Sequence, residues 1–559
     1  MDSTSPSATQ QPTTPRKTAS SSKLQNFETD TPKEQDKFID GYRFVDMEVL
    51  STVISLLFCE VCQLCSLTLR EKFSKKMGFA SCLVVKCMEC KFSHEFYTSK
   101  PVEKSHDVNL RVIYAMRTLG HGHASIKKFS TLMNMPSPMR VKNYDRAVSK
   151  ITKTVVNVAE QTMLEAVKEI KVLKRNSAED NVVVDIPISC DGSWQRRGFA
   201  SLNGSFTGIS LDTGKVVDTE VMSRYCKGCK LKEPLQHINK AAFEKWQRTH
   251  KCKMNHSGSA AAMEITGAKA IFSRSIEKHG LRYTQYLGDG DSKSYPAIKD
   301  TYKSIEVEKL ECVGHIQKRV GNRLRNLKKN VKGLGGRGKL TNVVIDRLQN
   351  YYGIAIRSTT DSQRMKKAVA AVLFHVASSK NANYHNAYCP AGENSWCRYQ
   401  RDKANGTSEH KPGSGLSLKI IKYVKPIFID LSKEALLKKC LHGKTQNQNE
   451  SFNSLIWERL PKSKYVSLTQ LRLGTYDAVA HFNIGMKSSI LIFDQLKMQP
   501  GRFMVKQCSM INRKRLFSSF YKSSEPVKKR RKIIRGLKKS KMDKHEKDEG
   551  TVYEAGGFV

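Results

Sequence analysis

Long apolar runs are what this sequence most plainly lacks. The longest, around Leu50 to Phe58, is far short of the ~20 residues a bilayer demands, and the opening MDSTSPSATQQPTTPRKTASSSK has no apolar centre of the kind a secretory signal needs. Neither a membrane span nor secretion is expected, and the chain reads as soluble and intracellular. Acidic residues are also scarce: 52 Asp+Glu face 96 Lys+Arg, a formal net charge of +44. Such an excess is balanced by polyanions or counter-ions, and neutralising phosphates releases condensed cations, so nucleic acid is the first partner to suspect. Charge alone does not separate this from a ribosomal-type basic protein. No internal repeat is visible. In a reducing compartment the 15 cysteines do not form a disulfide framework, and their CxxC spacings point to metal.

At 559 residues the chain has room for several parts. Residues 1–40, rich in Ser, Thr, Pro and Gln, read as a disordered tail. A cysteine-bearing module at 41–105 precedes a helical region at 106–180, in which Ala147 to Lys174 carries the spaced apolar residues of a long amphipathic helix. NVVVDIPISCDGSW then puts Val184, Ile186, Ile188 and Cys190 on one strand face and Asp185, Ser189 and Asp191 on the other. A run from Phe199 to Ser210, a turn at Asp212 to Lys215 and a run from Val216 to Met222 predict a hairpin, and Tyr283 to Leu287 predicts a fourth strand. Residues 181–300 are thus the first part of an α/β core, with a cysteine-bearing insertion at 224–260. Residues 301–440 read as a helical insertion, 441–520 as the last part of the core with C-terminal helices, and 521–559 as a disordered basic tail. In that tail KKRRK, Lys528 to Lys532, reads either as a nuclear import signal or as a solvated or DNA-touching segment.

Three acids stand out. Phosphodiester cleavage and strand transfer use two divalent cations roughly 4 Å apart, and hard cations want carboxylates held rigidly at strand ends or on a facing helix. Asp191 and Asp289 each sit where a predicted strand runs out into glycine. In KTQNQNESFNSLIWERLP, Phe452, Leu455, Ile456 and Leu460 form an apolar stripe while Glu450 projects away beside Asn453. Asp291 is an alternative to Asp289, which is preferred because it directly follows the strand.

Three Cys/His groups have ligand spacing. Cys59-x2-Cys62 with Cys87-x2-Cys90 matches a two-knuckle zinc ribbon, with Gly78 and Cys82 to Val85 as its hairpin and Cys65 as a second choice of partner for Cys62. Cys226, Cys229, Cys252 and His256 form a second group, with His237 and His250 as less regularly spaced alternatives. His375, His385, Cys389 and Cys397 form a third. Four closed ligands in each case argue for structural Zn2+ rather than catalysis.

ISCDGSW, YLGDGDSKSY, ECVGH, HxxxCPAGENSWC, KTQNQNESFNSLIW and TVYEAGGF, in that order, resemble the Mutator-like transposase domain, one of the RNase H-like DDE transposases. The resemblance runs from about Tyr42 to the C-terminus. It implies an RNase H-like α/β core, a catalytic triad of Asp191, Asp289 and Glu450 binding Mg2+ or Mn2+, and accessory Cys312 and His315 as the Cys-x2-His signature near the active site. The implied partners are double-stranded DNA, both element ends and target, and further copies of the chain assembled on it, in the nucleus. A domesticated descendant that binds DNA or chromatin without cutting is the alternative. Beyond His315, the residues Lys318, Arg319, Arg323, Arg325, Lys328 and Lys329 recur on a predicted helix as a stripe suited to gripping phosphates, followed by a flexible basic loop at Val331 to Lys339.

Overall fold

The computed structural model describes residues 40–537 except 176–182, 196–200, 290–292, 337, 378–381, 394, 409–414, 464 and 532. The remainder of the two expected tails, the stretch TVYEAGGF and Asp291 therefore lie outside the described residues. It is a mixed α/β protein of two compact units: Met1–Ala115, Gly122–Thr162 and Ala480–Val559 in the first, Met116–His121 and Met163–Val479 in the second. Among the described residues no helix is long and apolar enough to cross a membrane.

The first unit opens with α1 (Met47–Ser55) and an antiparallel sheet of β1 (Leu67–Glu71), β2 (Cys82–Cys87) and β3 (Ser93–Tyr97) in that order. The β1–β2 connection turns at Gly78, whose φ of +64° favours glycine, and a Cβ there would meet Asn109 Oδ1 at 2.6 Å. Asn109 holds this turn by accepting from Phe79 N at 3.0 Å and donating to Met77 O at 2.7 Å. Next come α2 (Asp107–Thr118), α3 (His123–Leu132) and α4 (Val141–Arg175), the long helix expected from Ala147 onward. Ile151, Val155 and Val158 in this unit's part of α4, and Met163, Ala166 and Ile170 where the helix continues into the second unit, are buried at helical spacing.

In the second unit β4 (Val184–Trp194), β5 (Asn203–Ser210) and β6 (Val216–Ser223) form the expected strand and hairpin. After α5 (Lys227–Ile238), α6 (Lys240–Thr249) and α7 (Ala260–Ser273), the sheet resumes with β7 (Leu281–Gly288) and β8 (Glu308–Glu311). The order is β8-β7-β4-β5-β6; β4 pairs antiparallel with β5 and parallel with β7, and β7 pairs parallel with β8. Val184, Ile186, Ile188 and Cys190 are buried with Phe206, Met263, Ile271, Phe272 and Tyr283, so the core lies on the strand face that alternation assigned to it. β8 went unread because it is four residues long, and Glu-Lys-Leu-Glu carries no alternation.

A helical layer of α8 (Val313–Asn330), α9 (Asn342–Ala355), α10 (Ser362–Ala377), α11 (Ala382–Tyr388), α12 (Arg398–Asn405) and α13 (Leu418–Asp430) follows. Its core includes Ile316, Val320, Leu348, Tyr352, Val369, Val372, Val424 and Phe428. The chain then returns to the sheet as α14 (Asn447–Arg459) and continues as α15 (Leu468–Ile484). In the first unit α16 (Lys487–Gln495) meets α2, with Tyr114 Oη 3.0 Å from Ser489 Oγ, and α17 (Arg502–Ser523) follows. Residues 525–531 and 533–537 are helical, so this part of the expected basic tail is not extended.

One polar cluster in the second unit is buried rather than exposed. Asp218, 0 % exposed on β6, accepts from Arg274 Nε at 2.7 Å and Nη2 at 2.9 Å, with His279 Nε2 3.5 Å away. Burial alone would raise its carboxyl, but His279 and Arg274 hold it down at about 2. The ionised form is thus favoured on folding, relative to an unfolded value of about 3.9. Its contribution is complete above about pH 4 and is lost as pH falls through about 2. Arg274→Met, which strands the carboxylate, is expected to cost about 3 kcal/mol in urea unfolding at neutral pH. Wild type should lose stability from pH 4 to 2 more steeply than Asp218→Asn; parallel acid profiles would refute the assignment.

Candidate active site and metal centres

The pairing of β4 with β7 brings two candidate acids together. Ile188 is opposite Tyr286 and Ser189 opposite Leu287. Ser189 with Leu287 is the last pair of this register; Asp191 follows two residues later on β4, and Asp289 stands just beyond the end of β7, its charge acting on Asp191. Parallel neighbours in register project to the same face, about 4.8 Å apart at the backbone.

The third acid arrives on α14, which is laid along β4 by a ladder of polar contacts. Gln446 Nε2 donates to Cys190 O at 2.9 Å, Ser189 Oγ to Asn449 Oδ1 at 2.6 Å, Asn453 Nδ2 to Asp191 Oδ2 at 2.8 Å, and Trp457 Nε1 to Ser193 Oγ at 2.7 Å. These helix positions recur every three or four residues, so one face of α14 reads the strand. Of the expected apolar stripe Phe452, Ile456 and Leu460 are fully buried and Leu455 is half-buried, while Glu450 remains exposed.

His315, in the first turn of α8, links the acids. Its Nδ1 is 3.5 Å from Asp289 Oδ1, and its Nε2 is 3.9 Å from Glu450 Oε1. Asp289 and Cys312 raise the imidazole to about 10, so it is protonated between two carboxylates. Cys312 is buried and accepts from Gln446 N at 3.4 Å, pinning the start of α14. The Cys-x2-His pair therefore divides its work, the thiol positioning a helix and the imidazole facing the acids. Asp191 is pushed up to about 7 by burial and by the charge of Glu264, against the opposing pull of Asn453.

Glu264 escaped the sequence reading. It lies on α7, its Cγ 3.3 Å from where a Cβ on Gly192 would stand, and its Oε1 accepts from Ser294 Oγ at 3.0 Å. The signal was present, since Glu264 is the one acid in an otherwise largely apolar helix, AAAMEITGAKAIFS.

The basic stripe on α8 divides. Lys318 Nζ stands 3.9 Å from Glu450 Oε1 and Arg319 Nη2 3.8 Å from Asp289 Oδ1. Arg323 is paired with Asp430, Arg325 with Asp346 at 2.6 Å, and Lys328 donates to Asn342 Oδ1 at 3.2 Å, while Lys329 is exposed. Those partners come from α9 and α13 and could not be seen in the stripe itself.

Among the described residues, the groups of three or more whose donor atoms all lie within 4.8 Å of one another are three Cys/His clusters; Asp191, Asp289 and Glu450 stand further apart than that. In the ribbon Cys59 and Cys90 are 3.5 Å apart at sulfur and Cys62 and Cys87 3.6 Å. Thiolates around tetrahedral zinc at 2.3 Å would be about 3.8 Å apart, so this cluster could hold Zn2+. The backbone amide of Cys62 lowers the Cys59 thiol to about 7, favouring the ligand form. Cys65 is exposed and faces Leu56 O, so the first knuckle uses Cys59 and Cys62.

The second cluster is Cys226, Cys229, His250 and Cys252, with His250 in the place expected for His256. Helix α6 ends at Thr249 and delivers His250 stacked on Trp246 at 4.3 Å, its Nε2 3.2 Å from Cys226 Sγ. His256 turns away, its Nε2 3.2 Å from Ser259 O. Counting residues favoured Cys-x3-His, but the helix end decides which ring reaches the sulfurs. Burial raises the Cys226 thiol, yet amides of Lys253 and Cys229 together with His250 bring it down to about 6.

The third cluster gathers His375, His385, Cys389 and Cys397, as the spacing predicted. Cys397 Sγ is 3.4 Å from His385 Nδ1, and Cys389 Sγ is 3.4 Å from His375 Nδ1. Trp396 edges against the His375 ring at 4.8 Å, and His385, Cys389 and Cys397 are buried. Mixed N and S donors of this kind suit Zn2+.

No curated protein matches the chain. Residues 41–397, more than half of its length, match the Mutator-like transposase family, and the chain belongs to that family.

Proposed function

We propose that this protein is a DDE transposase with an RNase H-like core, which cuts double-stranded DNA at the ends of a Mutator-like element and joins them to target DNA. The observation that carries the reading is the convergence of Asp289, just past the end of β7, and Glu450 of α14 on His315, with Asp191 on the neighbouring parallel strand β4 within reach of the charges of Asp289 and His315. The strand order, three antiparallel strands followed by two parallel ones, supports the fold assignment. The family match includes Asp191 and Asp289 but ends before Glu450, whose assignment rests on the docking of α14 against β4.

The donor set fits hard divalent cations: carboxylates of high charge density, one of them pushed up to about 7 by burial and a neighbouring acid, which a bound cation would relieve. Two ions about 4 Å apart also need acids spread wider than a single coordination sphere. Mg2+ or Mn2+ bound by Asp191, Asp289 and Glu450 would supply activation of the attacking oxygen and neutralisation of the leaving one. Asn453 fixes the orientation of Asp191, and Lys318 and Arg319 hold positive charge at the mouth of the site, where a phosphate backbone would lie. Water attacks first at the element end, and the freed 3'-hydroxyl then attacks target DNA. The basic block from Lys528 supports a nuclear location, and joining two ends calls for more than one copy of the chain.

The full chain, incubated with Mg2+ and duplexes carrying the sequences that flank its gene, should nick them to leave 3'-hydroxyls and join these to a second duplex. Binding without any Mg2+- or Mn2+-dependent product would favour the domesticated DNA-binding protein instead.

A further inference from the structure

The helical hairpin of α5 and α6 has an unusual construction. None of its helical residues is buried, and Leu231 and Ile238 are 68 % and 80 % exposed. Two short helices without a core do not hold themselves together, since each is below the length at which isolated helices persist in water. The cluster of Cys226, Cys229, His250 and Cys252 supplies what packing does not, joining the first turn of α5 to the residues just after α6. Metal there would close the hairpin at its base.

Its root lies at the active-site end of the sheet. Asp191 is in register with Thr207 and Thr207 with Thr219; three residues beyond Asp191, Trp194 is opposite Gly204 and Gly204 opposite Met222. β6 therefore leaves the sheet, at Ser223, at the same end as Asp191. The returning chain is tied to that point: Asn255 Oδ1 accepts from Ser223 N at 2.6 Å, and Asn255 Nδ2 donates to Val221 O at 2.8 Å. Tyr225, at the root, packs edge-on against Tyr465 at 4.6 Å.

The hairpin is also strongly basic. Between Cys226 and Lys253 there are eight Lys or Arg and two Glu, and all eight cations are exposed. Lys230 pairs with Glu233 at 2.6 Å, whereas Lys240, Lys245, Arg248 and Lys251 enter no ion pair among the described residues. A solvated face would not need a metal clamp or two anchors to the catalytic sheet. A phosphate-gripping one does, because an arm that swings freely loses on binding the entropy that rigidity would have spared.

We propose that this metal-clamped hairpin is a DNA-binding arm, which grips backbone phosphates of the duplex beside the strand being cut. The inference rests on the reading of DNA as substrate and adds the element that holds it. Lys245, Arg248 and Lys251 are its central contacts.

The test is a fluorescence titration of the zinc-loaded full chain with a short duplex, comparing wild type with K245Q/R248Q/K251Q. Because these side chains are exposed, zinc content and melting temperature should not change. Affinity should fall about tenfold or more at about 0.1 M salt, and the slope of log K against log salt should become shallower by about 2.7, for three lost phosphate contacts. Cys229→Ser, which keeps every charge but opens the base, should lose one zinc and weaken binding as well. A triple variant with wild-type affinity and salt slope overturns the arm, and if it still cleaves DNA the transposase reading survives. Should that variant lose a protein partner instead, the surface serves protein and the inference is equally wrong. Wild type that neither binds nor cleaves DNA would remove both.

Discussion

If the proposed function holds, Asp191→Asn is expected to lower Mg2+-dependent strand cleavage by about 10³-fold or more, equivalent to about 4 kcal/mol of transition-state stabilisation, while DNA binding should change less than about twofold. Asparagine keeps the shape of the side chain, and its carbonyl oxygen can still accept from Asn453 Nδ2, so α14 should stay docked on β4. What is lost is the negative charge that a cation would require. Gel-based cleavage of an end-labelled duplex, with melting temperature as the control for folding, measures the effect. Cleavage by the variant within tenfold of wild type would take Asp191 out of the chemistry.

The second large effect concerns the ribbon. Its small core is Cys59, Leu67 and Cys87, joined by Ile54, Cys62, Val85, Cys90 and Phe92, so half of it consists of the four sulfur ligands themselves. Without metal, little apolar surface is left to oppose the chain entropy of some 30 ordered residues. Cys87→Ser is therefore expected to unfold this module outright, since zinc-dependent folding in small domains involves about 10 kcal/mol or more. The zinc content should drop by one ion, and limited proteolysis should cut within β1 to β3. Cys65→Ser is the control, because its exposed sulfur lies outside the cluster. A Cys87 variant that kept its zinc and its protease resistance would show that the cluster does not hold the metal.

Much of this was legible from residue patterns, and the reasons are local. Alternation in NVVVDIPISCDGSW fixed which face of β4 is buried, because a half-buried strand must alternate. Acids followed by glycine marked Asp191 and Asp289 as candidates, and the apolar residues of α14 anticipated an exposed Glu450; the expectation that the first strand ends at Asp191 did not hold, because β4 runs on to Trp194 paired with β5. Paired Cys-x2-Cys spacings gave the ribbon's four cysteines but left Cys65 as a second partner for Cys62, a choice that the exposed Cys65 sulfur decides. What stayed hidden depends on approach between distant segments. Nothing near Arg323 announces Asp430, nothing near Asp218 announces Arg274, and the choice of His250 over His256 follows from where α6 ends rather than from ligand counting. Glu264 was missed because a lone acid in an apolar helix signals a buried charge without naming its neighbour, and the neighbour appears only when α7 is packed against β4.

The alignment of β4 has a further consequence. This strand is held on one side by antiparallel pairing with β5 and on the other by parallel pairing with β7, with a register shift between Ile186 and Pro187. Sliding it by a single residue would rotate the carboxylate of Asp191 into the apolar interior and turn the Cys190 thiol out toward Asn453. Insertions or deletions within β4 are thus frame errors for the chemistry as much as for the packing, and the irregularity beside Ile186 belongs to β7, where Thr284 is the extra residue and pairing resumes from Pro187 and Gln285 before the acids are reached.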